Sequence, residues 1–261
     1  MNARVLETEP ASGVAQLTLN RPEQRNALDA ALIDELAAAL ARQLARGATR
    51  VVLLAGAGSS FCAGADMNSM LALGRGTQAE NVADAARLAD LLRAVRESPK
   101  PVIACVNGPA FGGGVGLAAA SDIAIASTAA RFRLPEVQLG LAPAVISPYV
   151  LEAIGVRHAR RYFLSAEAIS AERARDIGLV HEVVAPEALL PTALAIAAEV
   201  KQAGPEALAA AKALIAEVAA ATPDARLALR TAEILATLRA GAEAQEGLAA
   251  ALARRAPAWR V

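Results

Sequence analysis

From Pro101 to Ser121 the chain runs twenty-one residues without a charged side chain, long enough to cross a bilayer as one helix, yet its composition forbids that fold. Pro101 and Pro109, Asn107, and glycines at 108, 112, 113, 114 and 116 would break a single helix and leave backbone polar groups facing lipid. The run must instead be buried within a protein core as several short pieces. Pro101 to Asn107 is apolar and β-branched and reads as a strand, Gly112 to Ala120 as a helix entered through glycines, and Asp122 to Ala126 as a further strand. A strand that passes through three consecutive glycines into an apolar helix has two uses. Glycine permits tight helix–sheet packing, and it also lets a ligand oxygen reach the free N–H groups and positive partial charge of the helix start.

The chain has 261 residues, 55% of them hydrophobic, enough for one large core with an appendage. Equal numbers of acidic and basic residues, 26 each, and only 3% aromatics exclude a nucleic-acid partner or an anionic membrane surface held by overall charge or base stacking. Cys62 and Cys105 are too few for a disulfide framework and lack the spacing of a zinc site, so no metal and a reducing, cytoplasmic setting are expected. Met1 to Pro10 carries acidic residues and no apolar stretch, and no signal peptide is expected.

Around the central run, strand and helix alternate. Gly13 to Asn20 alternates as a strand; Asp29 caps a helix from Ala30 to about Arg46, ended by Gly47; Arg50 to Ala55 is a short strand. A Gly- and Ser-rich loop follows from Gly56 to about Asn68, then a helix from about Gln78 to Glu97. The alternation lasts to about Val184 and implies an α/β core of repeated strand and crossover units. From Pro186 onward four Ala- and Leu-rich helical segments follow, punctuated by Gly204-Pro205, Thr222-Pro223 and Gly241. The expected organisation is therefore a core over 1–195 and an all-helical region over 196–261 that packs on the core or on another subunit.

Three segments carry candidate chemistry. The loop Gly56 to Asp66 is no nucleotide-binding loop: it lacks Gly-Lys-Ser/Thr, and Phe61 stands where a dinucleotide fingerprint needs its third glycine. Its small residues Ala63, Gly64 and Ala65 allow close backbone approach to a ligand. The segment Asn107 to Gly116 contains the glycine-led helix start. Glu136 stands among Leu134, Val137 and Leu139, an apolar setting that raises a carboxyl pKa and suits it to proton transfer near neutral pH. His158, among Arg157, Arg160 and Arg161, and His181, beside a strand, read as structural residues, and Cys62 as a loop filler without a base partner.

Four segments, Leu19–Leu28 (LNRPEQRNAL), Phe61–Asp66 (FCAGAD), Asn107–Gly114 (NGPAFGGG) and Leu134–Leu141 (LPEVQLGL), together resemble the enoyl-CoA hydratase/isomerase (crotonase) superfamily, in the family's order and over essentially the whole chain. The resemblance implies an α/β spiral of ββα units with a C-terminal all-helical trimerisation region, assembly as a homo-trimer or hexamer, and an acyl-CoA thioester substrate with no further cofactor. It implies that the backbone N–H groups of Ala65 and Gly113 form an oxyanion hole for the thioester carbonyl, with Glu136 as acid/base. Arg25, Ala27, Ala63, Asp66 and Met67 match positions lining CoA, Gly112 and Gly116 fall in the substrate segment, and Arg260, after Trp259, is in place to hold a CoA phosphate.

The family's usual hydratases carry a second glutamate where this chain has Gly116, and glycine moves no protons. Two enzyme readings follow. The segment Leu139 to Tyr149 resembles the branch acting on carboxylated branched substrates such as 3-methylglutaconyl-CoA, in which the substrate's distal carboxylate or a water near Gly116 would fill the missing role. Alternatively, one glutamate suffices for an enoyl-CoA isomerase. A dehalogenase would want an aspartate near Leu141 to Ala144, and an acyl-CoA-binding relative without catalysis would not need Glu136. Arg131 and Arg133 lie near the Pro-Glu segment and are cations for a substrate carboxylate, but at i and i+2 on a strand they are expected to share an outward face.

Overall fold

The computed structural model describes residues 3–260. The chain begins with β1 (Val5–Ala11), β2 (Val14–Leu19), α1 (Ala30–Ala45), β3 (Val51–Gly56), α2 (Met67–Leu73) and α3 (Gln78–Arg96). The uncharged run forms β4 (Val102–Val106), β5 (Ala110–Phe111) and α4 (Gly113–Ala120), followed by β6 (Ile123–Ser127) and β7 (Arg131–Arg133). Then come α5 (Ser147–Ser165), β8 (Ile169–Ser170), α6 (Ala171–Asp176), β9 (Glu182–Val184), α7 (Leu189–Val200), α8 (Pro205–Ala219), α9 (Ala225–Ala240) and α10 (Ala242–Leu252). No helix among the described residues is long and apolar enough to cross a membrane.

The main sheet has the order β1-β2-β3-β4-β6-β9, antiparallel at β1–β2 and parallel elsewhere. Its central strands β3, β4 and β6 are apolar on both faces, as a parallel sheet covered on two sides requires, whereas the edge strand β1 is mostly exposed. Leu17, Leu19, Val52, Leu54, Ala104 and Val106 point into the larger core with α1, α3, α4 and α5. Their neighbours Val14, Val51, Leu53, Ile103, Cys105 and Ile125 point to the other face, beneath Leu189, Ala193 and Ala197 of α7. This i, i+4, i+8 stripe shows why α7 lies on the sheet. Residue 195, the expected end of the core, falls inside this helix.

Beyond α7 the helices bury little. Lys212 of α8 is held 2.7 Å from Asp122, whose carboxylate also accepts from the Val102 N–H at 2.7 Å, tying α8 to the edge of β4. Ile215, Leu229, Leu235, Leu248 and Leu252 stay exposed on α8 to α10.

A second, three-stranded sheet, β5-β7-β8, pairs Ala110 with Phe132 and Phe111 with Arg133. It is only two or three residues wide, and its work is positional: it brings the residue after β5, Gly112, beside the segment after β7 that carries Glu136.

Candidate active site

Three backbone segments meet beyond the carboxyl ends of β3 and β4, the usual place for a ligand site in a parallel sheet. Their joints are main-chain hydrogen bonds: Ala63 N–H to Arg25 O (2.9 Å), Leu28 N–H to Gly64 O (2.7 Å), Asp66 N–H to Leu28 O (2.8 Å) and Phe111 N–H to Cys62 O (2.9 Å). Because Leu28 bonds to the residues on either side of Ala65 in a parallel bridge, the Ala65 N–H points away from Leu28 and stays unpaired in the backbone network. Gly113 begins α4, so its N–H has no partner within the helix either. Two free donors thus stand on segments stitched together through Cys62 and Gly64.

Glycine is required where these segments touch. Gly64 (φ 87) has no room for a Cβ, which would lie 2.9 Å from Phe111 O; at Gly112 (φ 46) a Cβ would lie 2.9 Å from Glu136 Oε1. The carboxyl group of Glu136 therefore rests against the chain just before Gly113.

A cavity of about 330 Å³ opens between these segments, α2, α3 and the turn after β7. Ala63, Gly64, Ala65, Asp66, Met67, Gly112, Gly113 and Glu136 all border it, and its walls are apolar, with Leu28, Met70, Leu88, Leu139, Val145 and Ile146. Glu136 is half-buried at the start of a 3-10 turn, and its Oε2 is buried without a hydrogen-bond partner. Burial pushes its carboxyl up from the ordinary glutamate range, against a lowering by its own backbone N–H. The other carboxylates at the cavity are engaged. Asp29 caps α1 through the Leu32 N–H and pairs with Arg21 and Arg4 at 2.8 and 2.9 Å. Asp66 caps α2 through Asn68 and Ser69, and Asp84 lies 3.6 Å from Arg87. Glu136 is the one carboxylate there without a cap or ion pair among the described residues.

Several expected site residues lie elsewhere. Gly116 does not border the cavity. It is buried in α4, where a Cβ would lie under 3.0 Å from Ile146 Cγ2 and 3.3 Å from Leu92 Cδ1. The place of a second carboxylate is thus filled by Ile146, and the expectation of a water beside Gly116 fails for lack of space. Arg25 (φ 51) and Ala27 act through their backbones: Arg25 O holds Ala63, and Ala27 O accepts from Arg21 at 2.9 Å. Arg260 donates to Gln202 O, next to Arg50 and Trp259, at the opposite end of the main sheet from the cavity. Arg133 is held by Ala166 O and Gln138, and neither it nor Arg131 reaches the cavity, which no Arg, Lys or His borders among the described residues. Cys62 is fully buried, its thiol pushed up to about 12 by burial, which suits a filler.

Two residues that organise the site were not singled out from sequence. Asn26, buried and at φ 56, accepts from the Arg21 N–H and donates to Ala57 O, Ser60 O and Phe61 O, fixing the loop that carries Ala65. An asparagine four residues after Pro22, a residue type that tolerates positive φ in a turn, was the available signal. Ile146 carried none, because its meaning lies in Gly116, thirty residues earlier.

The enoyl-CoA hydratase/isomerase family model matches residues 9–261. An enoyl-CoA hydratase of Alternaria alternata is 34% identical over 240 residues, 91% of this chain and 78% of that protein. A mevalonyl-coenzyme A hydratase of Aspergillus fumigatus is 35% identical, with 96% and 93% covered. The crystal structure of an enoyl-CoA hydratase from Shewanella pealeana superposes with a TM-score of 0.95 at 38% identity, covering 98% of this chain and 96% of that one.

Proposed function

Since the chain belongs to the enoyl-CoA hydratase/isomerase family, we propose that it is an enoyl-CoA hydratase for thioesters with an uncharged acyl chain, working with one carboxyl group, that of Glu136. The observation that carries this reading is the unpaired Glu136 carboxyl in an apolar cavity, the one cavity carboxylate left free among the described residues.

In this reading the thioester oxygen accepts from the Ala65 and Gly113 N–H groups, and the α4 dipole adds to their effect. Glu136 as carboxylate takes a proton from water while the water oxygen bonds to the β-carbon. The electron pair of the double bond moves toward the thioester oxygen, and Glu136 returns its proton to the α-carbon. One group with two oxygens completes the addition, and its raised pKa suits both halves. CoA enters along Ala63, Asp66 and Met67. Among the described residues no cation borders the cavity, which weighs against a carboxylated branched acyl group, since a buried unpaired carboxylate is strongly disfavoured. The exposed apolar residues of α8 to α10 support assembly into a homo-trimer or hexamer through the C-terminal helices.

The filled position beside Gly116 favours a second reading. Isomerisation of a 3-enoyl-CoA needs only that Glu136 remove a proton from C2 and return it to C4, with no water held. Incubation with crotonyl-CoA, a longer 2-enoyl-CoA, a 3-enoyl-CoA and 3-methylglutaconyl-CoA, followed by mass, separates these. Hydration of the uncharged 2-enoyl thioesters adds one water and is the expected result. Conversion of the 3-enoyl substrate alone, without mass change, assigns the isomerase, and preference for the carboxylated substrate refutes the assigned acyl class.

A further inference from the structure

Away from the active-site cavity, a hollow of about 410 Å³ is bordered, among the described residues, by Arg157, His158, Arg160, Arg161 and Arg173 alone. Local structure gathers these side chains. Helix α5 leaves helical geometry at Gly155 (φ 69, ψ 161), so the stretch from Val156 is a fresh helix end, with Arg157 and His158 in its first turn where the dipole is positive. Arg157, Arg160 and Arg161 stand at i, i+3 and i+4 and share one face. Arg173 comes across from α6, its Nε donating to the hydroxyl of the buried Tyr162 at 3.0 Å and its terminal nitrogen 3.5 Å from His158 Nδ1.

The carboxylates nearby do not neutralise this cluster. Glu167 pairs with Arg161, and Asp176 with Arg175 outside the hollow. Among the described residues Arg157, Arg160 and Arg173 have no carboxylate within ion-pair distance. Such a concentration is conspicuous in a chain whose charges sum to zero.

We propose that this hollow is an anion site whose ligand is a small phosphate-bearing molecule, a diphosphate group being its core. Guanidinium forks grip phosphate oxygens in pairs; those of Arg157 and Arg160 meet no carboxylate among the described residues, and Arg173 keeps a terminal nitrogen beyond its contacts with Tyr162 and His158. The hollow has the size of a small-molecule site. Among the described residues its border is four arginines and one histidine, with no apolar wall for an acyl chain, so the phosphates are what it recognises. The proposal does not depend on Glu136 or on the reaction assigned above.

Calorimetric titration of the full chain with pyrophosphate tests it, with Arg157→Ala/Arg160→Ala as the site variant and Arg93→Ala, a surface arginine on α3, as the control. Wild type and R93A should show one saturable site. The double variant should bind about tenfold more weakly or worse, each tenfold being ~1.4 kcal/mol, with an unchanged melting temperature because both side chains are exposed. Coenzyme A carries the same chemistry and is titrated alongside: lost coenzyme A affinity in the double variant assigns the hollow to the nucleotide end of the substrate, and retained affinity assigns it to a separate diphosphate ligand. No saturable heat with wild type, or equal pyrophosphate affinity in the double variant, overturns the proposal. So does a changed oligomeric state in the double variant, which would give the hollow to carboxylates of a second copy.

Discussion

Replacing Gly116 by alanine adds one methyl group in the middle of α4, and helix propensity alone would raise stability by about 1 kcal/mol. Packing at this position predicts the opposite sign. The new Cβ would lie under 3.0 Å from Ile146 Cγ2, 3.1 Å from Ile146 Cβ and 3.3 Å from Leu92 Cδ1. Neither neighbour can give way easily: Ile146 is branched at Cβ and stiff at χ1, and both are buried. Overpacking of this kind costs about 1–3 kcal/mol, and the short distance and two-sided contact put it in the upper half of that range. The net expectation is a loss of ~1–2 kcal/mol, or about 2–8 °C in melting temperature for a chain near this size. Ile146→Ala alone should cost ~2–5 kcal/mol through the cavity it leaves. In the double variant the two changes should compensate, with a coupling of about 1–2 kcal/mol. Urea unfolding of the four proteins measures every leg of this cycle. A G116A protein as stable as wild type, or more so, would refute the claim that Ile146 fills the space a side chain at position 116 would need.

Asn26→Ala should destabilise the chain by more than about 2 kcal/mol, because it strands the Arg21 N–H and three carbonyls; a midpoint shift in urea smaller than this would reduce Asn26 to a minor contact. Gly113→Pro removes one of the two N–H groups proposed to hold the thioester oxygen and should lower kcat about 10²–10³-fold relative to Gly113→Ala, which keeps the N–H and meets the same Leu28 side chain. Equal rates would rule out Gly113 as a donor. Burial raises the Glu136 carboxyl, so above the ordinary glutamate value the folded chain keeps a proton the unfolded chain has lost. The stability this contributes is full below the unfolded pKa and is lost as pH rises through the folded one, so Glu136→Gln should gain on wild type as pH is raised from the ordinary glutamate value towards neutral. An unchanged difference in unfolding free energy across that range would show that burial does not govern this group.

The elements of the main sheet were legible because both of its faces are buried, which leaves strands such as Val51–Ala55 and Val102–Val106 as short unbroken apolar runs between turn residues. Asp29 announced α1 as a cap, and the glycine-led start of α4 was readable for the same local reason. Strand β1 was not recognised, since five of its seven residues are exposed and its pairing with β2 is a long-range fact. Helix α2 was not recognised, its first residues falling in the loop read to about Asn68, because only the hydrogen bonds from Asn68 and Ser69 to Asp66 mark its beginning. At the site, the close-approach positions Gly64, Ala65 and Gly112 could be read from residue size, and Glu136 from its apolar neighbours. Gly116 could not. A missing side chain in sequence is consistent with an open space, a water or a substrate group, and only the fold shows that Ile146 stands there. Arg260 failed for a related reason: its chain position does not reveal that Trp259 and Arg260 dock on Gln202, behind the sheet.

The central claim is that a single carboxyl group carries the proton transfer. The direct measurement is kcat/KM of Glu136→Gln on the best enoyl-CoA substrate, with the fold checked by circular dichroism. Loss of about 10²–10⁴-fold is expected for removal of the one acid/base group. A variant within about tenfold of wild type, the equivalent of ~1.4 kcal/mol in the barrier, would mean that another group moves the proton and would contradict the account.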